Sequence, residues 1–482
     1  MNDSQKISPW KTTCIAAMTS YIDAGSIVAG AAGLALWQNY LGLTAFLVGL
    51  LTAFSSNAFG AAIGAIIGGP LCDRYGRKFV YTYDLLVYIA GMLLIVFAFS
   101  HPVACNPFTL NLFGNEIPVL GETFDLGYLM LFFGYFIVGT AVGADVVASW
   151  TLIAEQAPAE NRARHCGAAQ FAWAIGPAVV LLMNAALGAW LGPENALLGN
   201  RIVFGHLIVV AFITWLLRLG MPESENWKAA KEKERELIAS GEIKEYGMRA
   251  LFKWVNLKTV LFLSGVYVVW NWAAGTMGFL LPYIYESVGG VSNSMACALT
   301  VILFLTSALS TIFIFMMWGD RISRRAIYCV IASLFVVGWG LFLLPADNAL
   351  VQLKWTVGSV TVPVLLVLIS VLIGINNGSG QQAFYQLWCS ELFPARYRAS
   401  AQGFTFFAAR ITVGIWTFCV PIIMENIGFA LAAKIMVGFA LFSLLVGTIF
   451  APNTSGKTLE QIEEERYGKL GEQIRGKIRK AS

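Results

Sequence analysis

The chain has 482 residues, 57% of them hydrophobic and only 12% charged, with a mean hydropathy of +0.69. That is too little polar side chain to coat a soluble globule of this length, so the composition points to an integral membrane protein. The formal net charge of +4 is small and forms no basic stripe that would track phosphates, which argues against a nucleic-acid partner.

A polar opening, Met1 to Lys11, leads into an apolar run with no small-residue cleavage site, expected to be a retained first helix and not a signal peptide. Runs long enough to cross about 30 Å of hydrocarbon, roughly 20 residues each, fall at 12–38, 43–69, 79–100, 126–152, 165–191 and 202–220. A second set falls at 257–284, 293–318, 326–345, 360–388, 400–424 and 428–451. The expected fold is all-α and membrane-integral, with twelve transmembrane helices in two pseudo-symmetric six-helix halves. The matching division is 1–220 for the N-terminal half, 221–256 for a cytoplasmic linker, 257–451 for the C-terminal half and 452–482 for a cytoplasmic tail. In the linker, Lys228 to Glu236 mixes charges with helix formers and reads as a surface helix.

Loop charge gives the orientation. Lys6, Lys11, Arg74, Arg77, Lys78, Arg162, Arg164, Arg321, Arg324, Arg325, Arg396, Arg398 and the tail from Lys469 share one side. The opposite loops carry little beyond Arg201 and Lys354, and the long loop 101–125 holds Glu116, Glu122 and Asp125 without Lys or Arg. The positive-inside rule then puts both termini in the cytoplasm, with a bacterial inner membrane the expected location. The eight cysteines form no CxxC or Cys/His cluster, so neither a metal nor a disulfide framework is expected.

Two motifs recur half a chain apart. Gly68 to Lys78, a charged turn between apolar runs, returns in weaker form as Gly319 to Arg325. Glu155, Pro158 and Arg162 after the fourth run return at the same spacing as Glu391, Pro394 and Arg398 after the tenth. Paired motifs at corresponding places imply two homologous halves, an arrangement that suits a solute site at their interface near the midplane.

On these residues the chain resembles the major facilitator superfamily. Gly69, Asp73, Arg74, Gly76, Arg77 and Lys78 match the superfamily's turn between its second and third helices. Pro222-Glu223-Ser224-Glu225-Asn226-Trp227 and Pro452 to Glu460 resemble, in degraded form, two motifs of its sugar porters. The resemblance implies a sugar porter or a metabolite/proton symporter that rocks its halves about a central site. Asp73, Arg74, Arg77, Glu155, Arg164, Asp320, Arg321, Arg324, Glu391 and Arg398 would then form a cytoplasmic gate, with Asp73 at a neighbouring helix N-terminus and Arg77 and Arg164 bridging to Glu155 or Glu223.

Ionisable groups inside spans are functional candidates. Asp23, in Tyr21-Ile22-Asp23-Ala24-Gly25, resembles the sugar-porter segment whose aspartate is linked to proton coupling. The family's helix-4 arginine is replaced by Tyr135, while a new carboxylate, Asp145, follows in the same helix. Asp145 would join Asp23 in a proton site, touch substrate, or make an interhelical hydrogen bond. Arg410 would pair a carboxylate across the cavity or grip an anionic solute. Asn377, Gln381 and Tyr385 recur at four-residue spacing, one helical stripe, with Asn376 and Gln382 beside them. Trp270, Asn271 and Trp272 stand where sugar porters carry Gln-Gln, Pro177 where many carry a glutamine, and Gln170 lies nearer the cytoplasm. The expected solute site is therefore Gln170, Trp270, Asn271, Trp272, Asn376, Asn377, Gln381, Gln382, Tyr385 and Arg410.

The expected function is secondary active import of a small hydrophilic organic solute, a sugar, polyol or sugar acid, by proton symport with alternating access in a monomer. A drug or metabolite efflux antiporter is the alternative on Gly167, Gly176 and Pro177, although Val179-Val180 stands where its Gly-Gly belongs; the missing helix-4 arginine also admits an uncoupled facilitator. No nucleophile/base pair or phosphate loop indicates an enzyme or a cofactor.

Overall fold

The computed structural model describes residues 8–56, 58–112, 115–240, 248–287, 289–357 and 360–468. Hydrocarbon offers no partner to backbone N–H and C=O groups, so each apolar run pairs them internally as a helix. The first half comprises α1 (Pro9–Leu41), a broken second span α2 (Ala45–Ala53) and α3 (Phe59–Tyr75), then α4 (Arg77–Val96), α5 (Gly127–Gln156), α6 (Arg162–Leu191) and α7 (Ala196–Leu219). The connecting segment holds α8 (Glu225–Ala239), capped by the Ser224 side chain, which accepts from the Trp227 N–H.

In the second half α9 (Trp254–Leu263) runs through a π turn, Ser264–Val268, into α10 (Val269–Ser287), and α11 (Asn293–Ser310) ends in a second π turn, Thr311–Met316. There follow α12 (Arg324–Gly340), the short α13 (Ala349–Gln352), α14 (Val364–Ser379) and α15 (Gln381–Leu392) interrupted at Gly380, α16 (Arg398–Asn426) and α17 (Phe429–Phe450). Ten helical segments are apolar and long enough to cross a membrane on those criteria alone. The broken α2–α3 and α16, which carries Arg410, bring the described spans to twelve, six in each half.

Three antiparallel pairs of short strands lie in the loops at the end opposite the repeated motifs. They are β1 (Pro102–Ala104) with β4 (Thr123–Asp125), β2 (Phe108–Leu112) with β3 (Asn115–Leu120), and β5 (Lys354–Val357) with β6 (Val360–Pro363). The two halves meet where α3 packs on α16 and α6 on α11. Small residues set that approach. A Cβ on Gly69 would come within 2.6 Å of the Ala399 carbonyl oxygen, and one on Gly403 would collide with that of Ala65.

Candidate functional site

Between the halves lies a cavity walled by α1 (Ala24, Ile27, Val28), α6 (Trp173, Pro177), α10 (Trp270, Asn271, Ala274, Gly275), Phe304 of α11, Asn377 of α14, Gln382 of α15 and Arg410 of α16. Its volume is about 40 Å³, space for a few waters at ~10–15 Å³ each. That volume is too small to hold a sugar ring.

Asp23, 1% exposed, lies on α1 next to the lining residue Ala24, and Arg410 approaches it from α16 with 3.9 Å between Nη2 and Oδ2. Neither Asp23 oxygen receives a hydrogen bond of ordinary length. The Trp173 indole also faces Asp23, and the Arg410 guanidinium lies 4.7 Å above the Phe406 ring. This loose ion pair joins the two halves. Tyr135, in the family arginine's place, is buried against Gly30 and Phe204.

Of the residues expected to bind solute, the structure brings Trp270, Asn271, Asn377, Gln382 and Arg410 together on the wall. Three others stand behind it. Asn376 accepts from the Trp270 indole at 3.1 Å and donates to Gln381 at 2.6 Å, while Gln170 donates to the Asn377 carbonyl at 2.6 Å. Two are placed elsewhere: Trp272 packs edge-on against Phe439 of α17, and Tyr385 stacks on Tyr267 with 3.8 Å between centroids and meets Thr405 at 2.7 Å. The expected stripe on the tenth span is a correction in kind, because every residue of α15 is buried. The helix is enclosed between the halves, and of its side-chain amides Gln381 accepts from Asn376 while Gln382 reaches the cavity wall. Sequence reasoning did not name Trp173; an indole one helical turn before Pro177 was the available signal.

Asp145 lies away from the cavity. Arg218 of α7 donates to both its oxygens at 2.9 and 3.0 Å, Ser149 donates at 2.7 Å and Thr19 at 3.0 Å. Asp84 of α4 stands 3.7 Å from the same guanidinium, so two buried carboxylates share one arginine. Neither Asp84 nor Arg218 was named from sequence, although both lie within apolar runs.

At the motif end two matching clusters tie the halves. In one, Glu155 accepts from Arg77 and from Arg398, both at 2.8 Å, and Asp73 accepts from the Ser400 N–H at 2.7 Å and the Ala399 N–H at 3.3 Å, at the start of α16. In the other, Glu391 accepts from Arg324 at 2.8 Å and Arg162 at 2.9 Å, and Asp320 accepts from the Ala163 and Arg164 N–H groups at 3.0 and 3.1 Å, at the start of α6. Each aspartate is an anion from one half at a helix N-terminus of the other, where unpaired N–H groups and the helix dipole favour it. Ser224 bonds Glu155 and Thr454 accepts from Arg324 at 2.7 Å, so the two degraded motif segments occupy corresponding positions.

The side chains of Arg74, Arg164 and Arg321 are exposed. The expected Arg164 bridge to Glu155 or Glu223 is replaced: Arg162 makes the inward contact, to Glu391, because it begins α6 on the inner face two residues earlier. Glu223 instead accepts from the Arg77 and Lys78 N–H groups at 3.1 and 3.0 Å, at the start of α4.

Comparison with known proteins follows this geometry. Residues 37–465 match the family "Sugar (and other) transporter". The minor myo-inositol transporter IolF of Bacillus subtilis (strain 168) is 47% identical over 466 residues, 96% of each chain. The major myo-inositol transporter IolT of the same organism is 25% identical, covering 88% of this chain and 86% of its own. Among solved structures, the proton:xylose symporter XylE bound to 6-bromo-6-deoxy-D-glucose superposes with a TM-score of 0.73 at 19% identity, covering 96% of this chain and 99% of its own. With the match spanning most of its length, the chain belongs to the sugar (and other) transporter family and has the fold of the major facilitator superfamily.

Proposed function

We propose that the protein imports a cyclic polyol or sugar of the myo-inositol kind together with a proton, by alternating access, with the motif end cytoplasmic. The observation that carries this reading is the cavity wall, where indoles, amides and one carboxylate–guanidinium pair converge. Trp173 and Trp270 offer aromatic faces to the C–H face of a ring, and Asn271, Asn377 and Gln382 offer both donors and acceptors to hydroxyls. Gln170, Asn376 and Gln381 hold those groups in place. The 47% identity to a protein named as a myo-inositol transporter supports a polyol as cargo.

Asp23 takes the proton. Protonation removes the charge that holds Arg410, loosens a contact between α1 and α16, and leaves the guanidinium to the solute. Proton and solute thus favour the same rearrangement, each by binding one state better than the other. Asp145 is the second proposed proton position, because it and Asp84 share a single arginine. The paired clusters of Glu155 and Glu391 act as the cytoplasmic gate, closed here, and the lysines and arginines of that end set the orientation.

Binding to the purified protein tests the site. Myo-inositol is expected to change the intrinsic tryptophan fluorescence saturably, and Asn271→Ala to weaken that response about tenfold, the equivalent of one lost hydrogen bond of about 1–1.5 kcal/mol. Absence of a saturable response to myo-inositol, xylose and glucuronate alike would remove the polyol and sugar reading.

A further inference from the structure

A second and larger opening lies at the motif end, on the outer flank of the C-terminal half. It is a groove of about 650 Å³ between the start of α9 and the end of α17, and it shares no lining residue with the central cavity. Its floor is apolar, with Leu261, Phe262, Phe442 and Val446. Two cations stand over that floor. Lys258 is exposed, with its Nζ 4.9 Å above the Trp254 ring, and Arg466 reaches in from the helical stretch 459–468 that follows α17.

Arg466 donates one guanidinium nitrogen to Thr259, yet its Nε is buried without a hydrogen-bond partner. A buried, unpaired N–H on a cation is costly unless something accepts from it. No aspartate or glutamate lines the groove. The nearby Glu465 is held by Lys457 at 2.7 Å. The N-terminus of α9 opens here as well and adds partial positive charge. Trp254 and Phe450, 65% and 66% exposed, form the rim, as aromatic side chains do at headgroup depth.

We propose that this groove is a binding site for an anionic phospholipid of the surrounding bilayer. Its phosphodiester lies between the Lys258 ammonium and the Arg466 guanidinium, and its acyl chains run down the apolar floor between α9 and α17. Basic pockets at the membrane surface recognise anionic headgroups in this way. The chain's own segment 469–482 is basic in sequence and is a poor occupant for a groove that already holds two cations. A bound lipid would brace the 459–468 helix against α9, because Arg466 belongs to both the lipid site and that helix.

The test is native mass spectrometry of the full-length protein in mild detergent with dioleoylphosphatidylglycerol or dioleoylphosphatidylcholine added at equal concentration. Wild type is expected to retain one more phosphatidylglycerol than the Lys258→Gln/Arg466→Gln double variant, with phosphatidylcholine retention equal in the two. Lys258→Gln alone changes an exposed side chain and keeps the fold, and it is expected to reduce phosphatidylglycerol retention; Arg466→Lys, which keeps the charge, is expected to preserve most of it. Equal retention of both lipids by wild type, or unchanged phosphatidylglycerol retention in the double variant, would overturn the proposal and point to an uncharged apolar occupant.

Discussion

Glu155 answers two arginines that arrive from different halves, Arg77 and Arg398, and all three side chains are at most 2% exposed. Removing its charge leaves two buried guanidiniums facing each other, a loss of about 3–5 kcal/mol for a broken buried pair. Glu155→Gln is therefore expected to shift the protein from the closed form, seen as faster maleimide labelling of buried Cys72 while exposed Cys14 reacts at its usual rate. Unchanged Cys72 labelling would contradict the gate. At the opposite end Asp125 plays a local role. Burial pushes its carboxyl up, but the His101 N–H at 2.8 Å, the Ser100 hydroxyl at 2.5 Å and the Gly127 N–H at 2.8 Å together outweigh burial and hold it below the usual carboxylate range. Because the folded value lies below the unfolded one, near ~3.9, Asp125 stabilises the fold above that pH and its contribution fades as pH falls through the folded value. Asp125→Asn is expected to lower the melting temperature at neutral pH and to converge with wild type in strong acid; an equal gap at both pH values would show that charge is not the cause.

Helix positions were legible because hydrocarbon thickness dictates run length, and they differ from the expected runs mainly at breaks. The run 43–69 becomes α2 and α3, and at the break Ser55 turns its hydroxyl onto the Thr52 carbonyl, a local bond that a hydropathy pattern does not register. The repeated Glu, Pro and Arg spacing located the carboxylates of the two motif-end clusters, but helix phase decides which arginine faces inward, so Arg162 lies inside and Arg164 outside. At the seam between α3 and α16, Gly69→Ala is expected to force the helices apart at about 1–3 kcal/mol, the usual range for an overpacked contact. The measurement is again Cys72 labelling, which should accelerate; a labelling rate equal to wild type would mean that the seam has slack.

At the scale of the molecule the two-half design was readable, since each half repeats its motifs. The cargo site was less so. Its wall draws one to four residues from each of seven helices, so no run of sequence displays it, and Trp173 stands near Asp23 only once α6 folds against α1. The Asp84–Arg218–Asp145 cluster was hidden for the same reason, its members lying on three helices far apart in the chain. The Asp23–Arg410 contact crosses from one half to the other, so the proposed proton-binding group sits at the junction of the halves. Uptake of labelled myo-inositol into proteoliposomes under an imposed proton gradient, acid outside, tests that account most directly. Wild type should accumulate myo-inositol above equilibrium, and Asp23→Asn should lose gradient-driven accumulation while still exchanging solute down its own gradient. Accumulation by Asp23→Asn equal to that of wild type would contradict proton coupling through this residue.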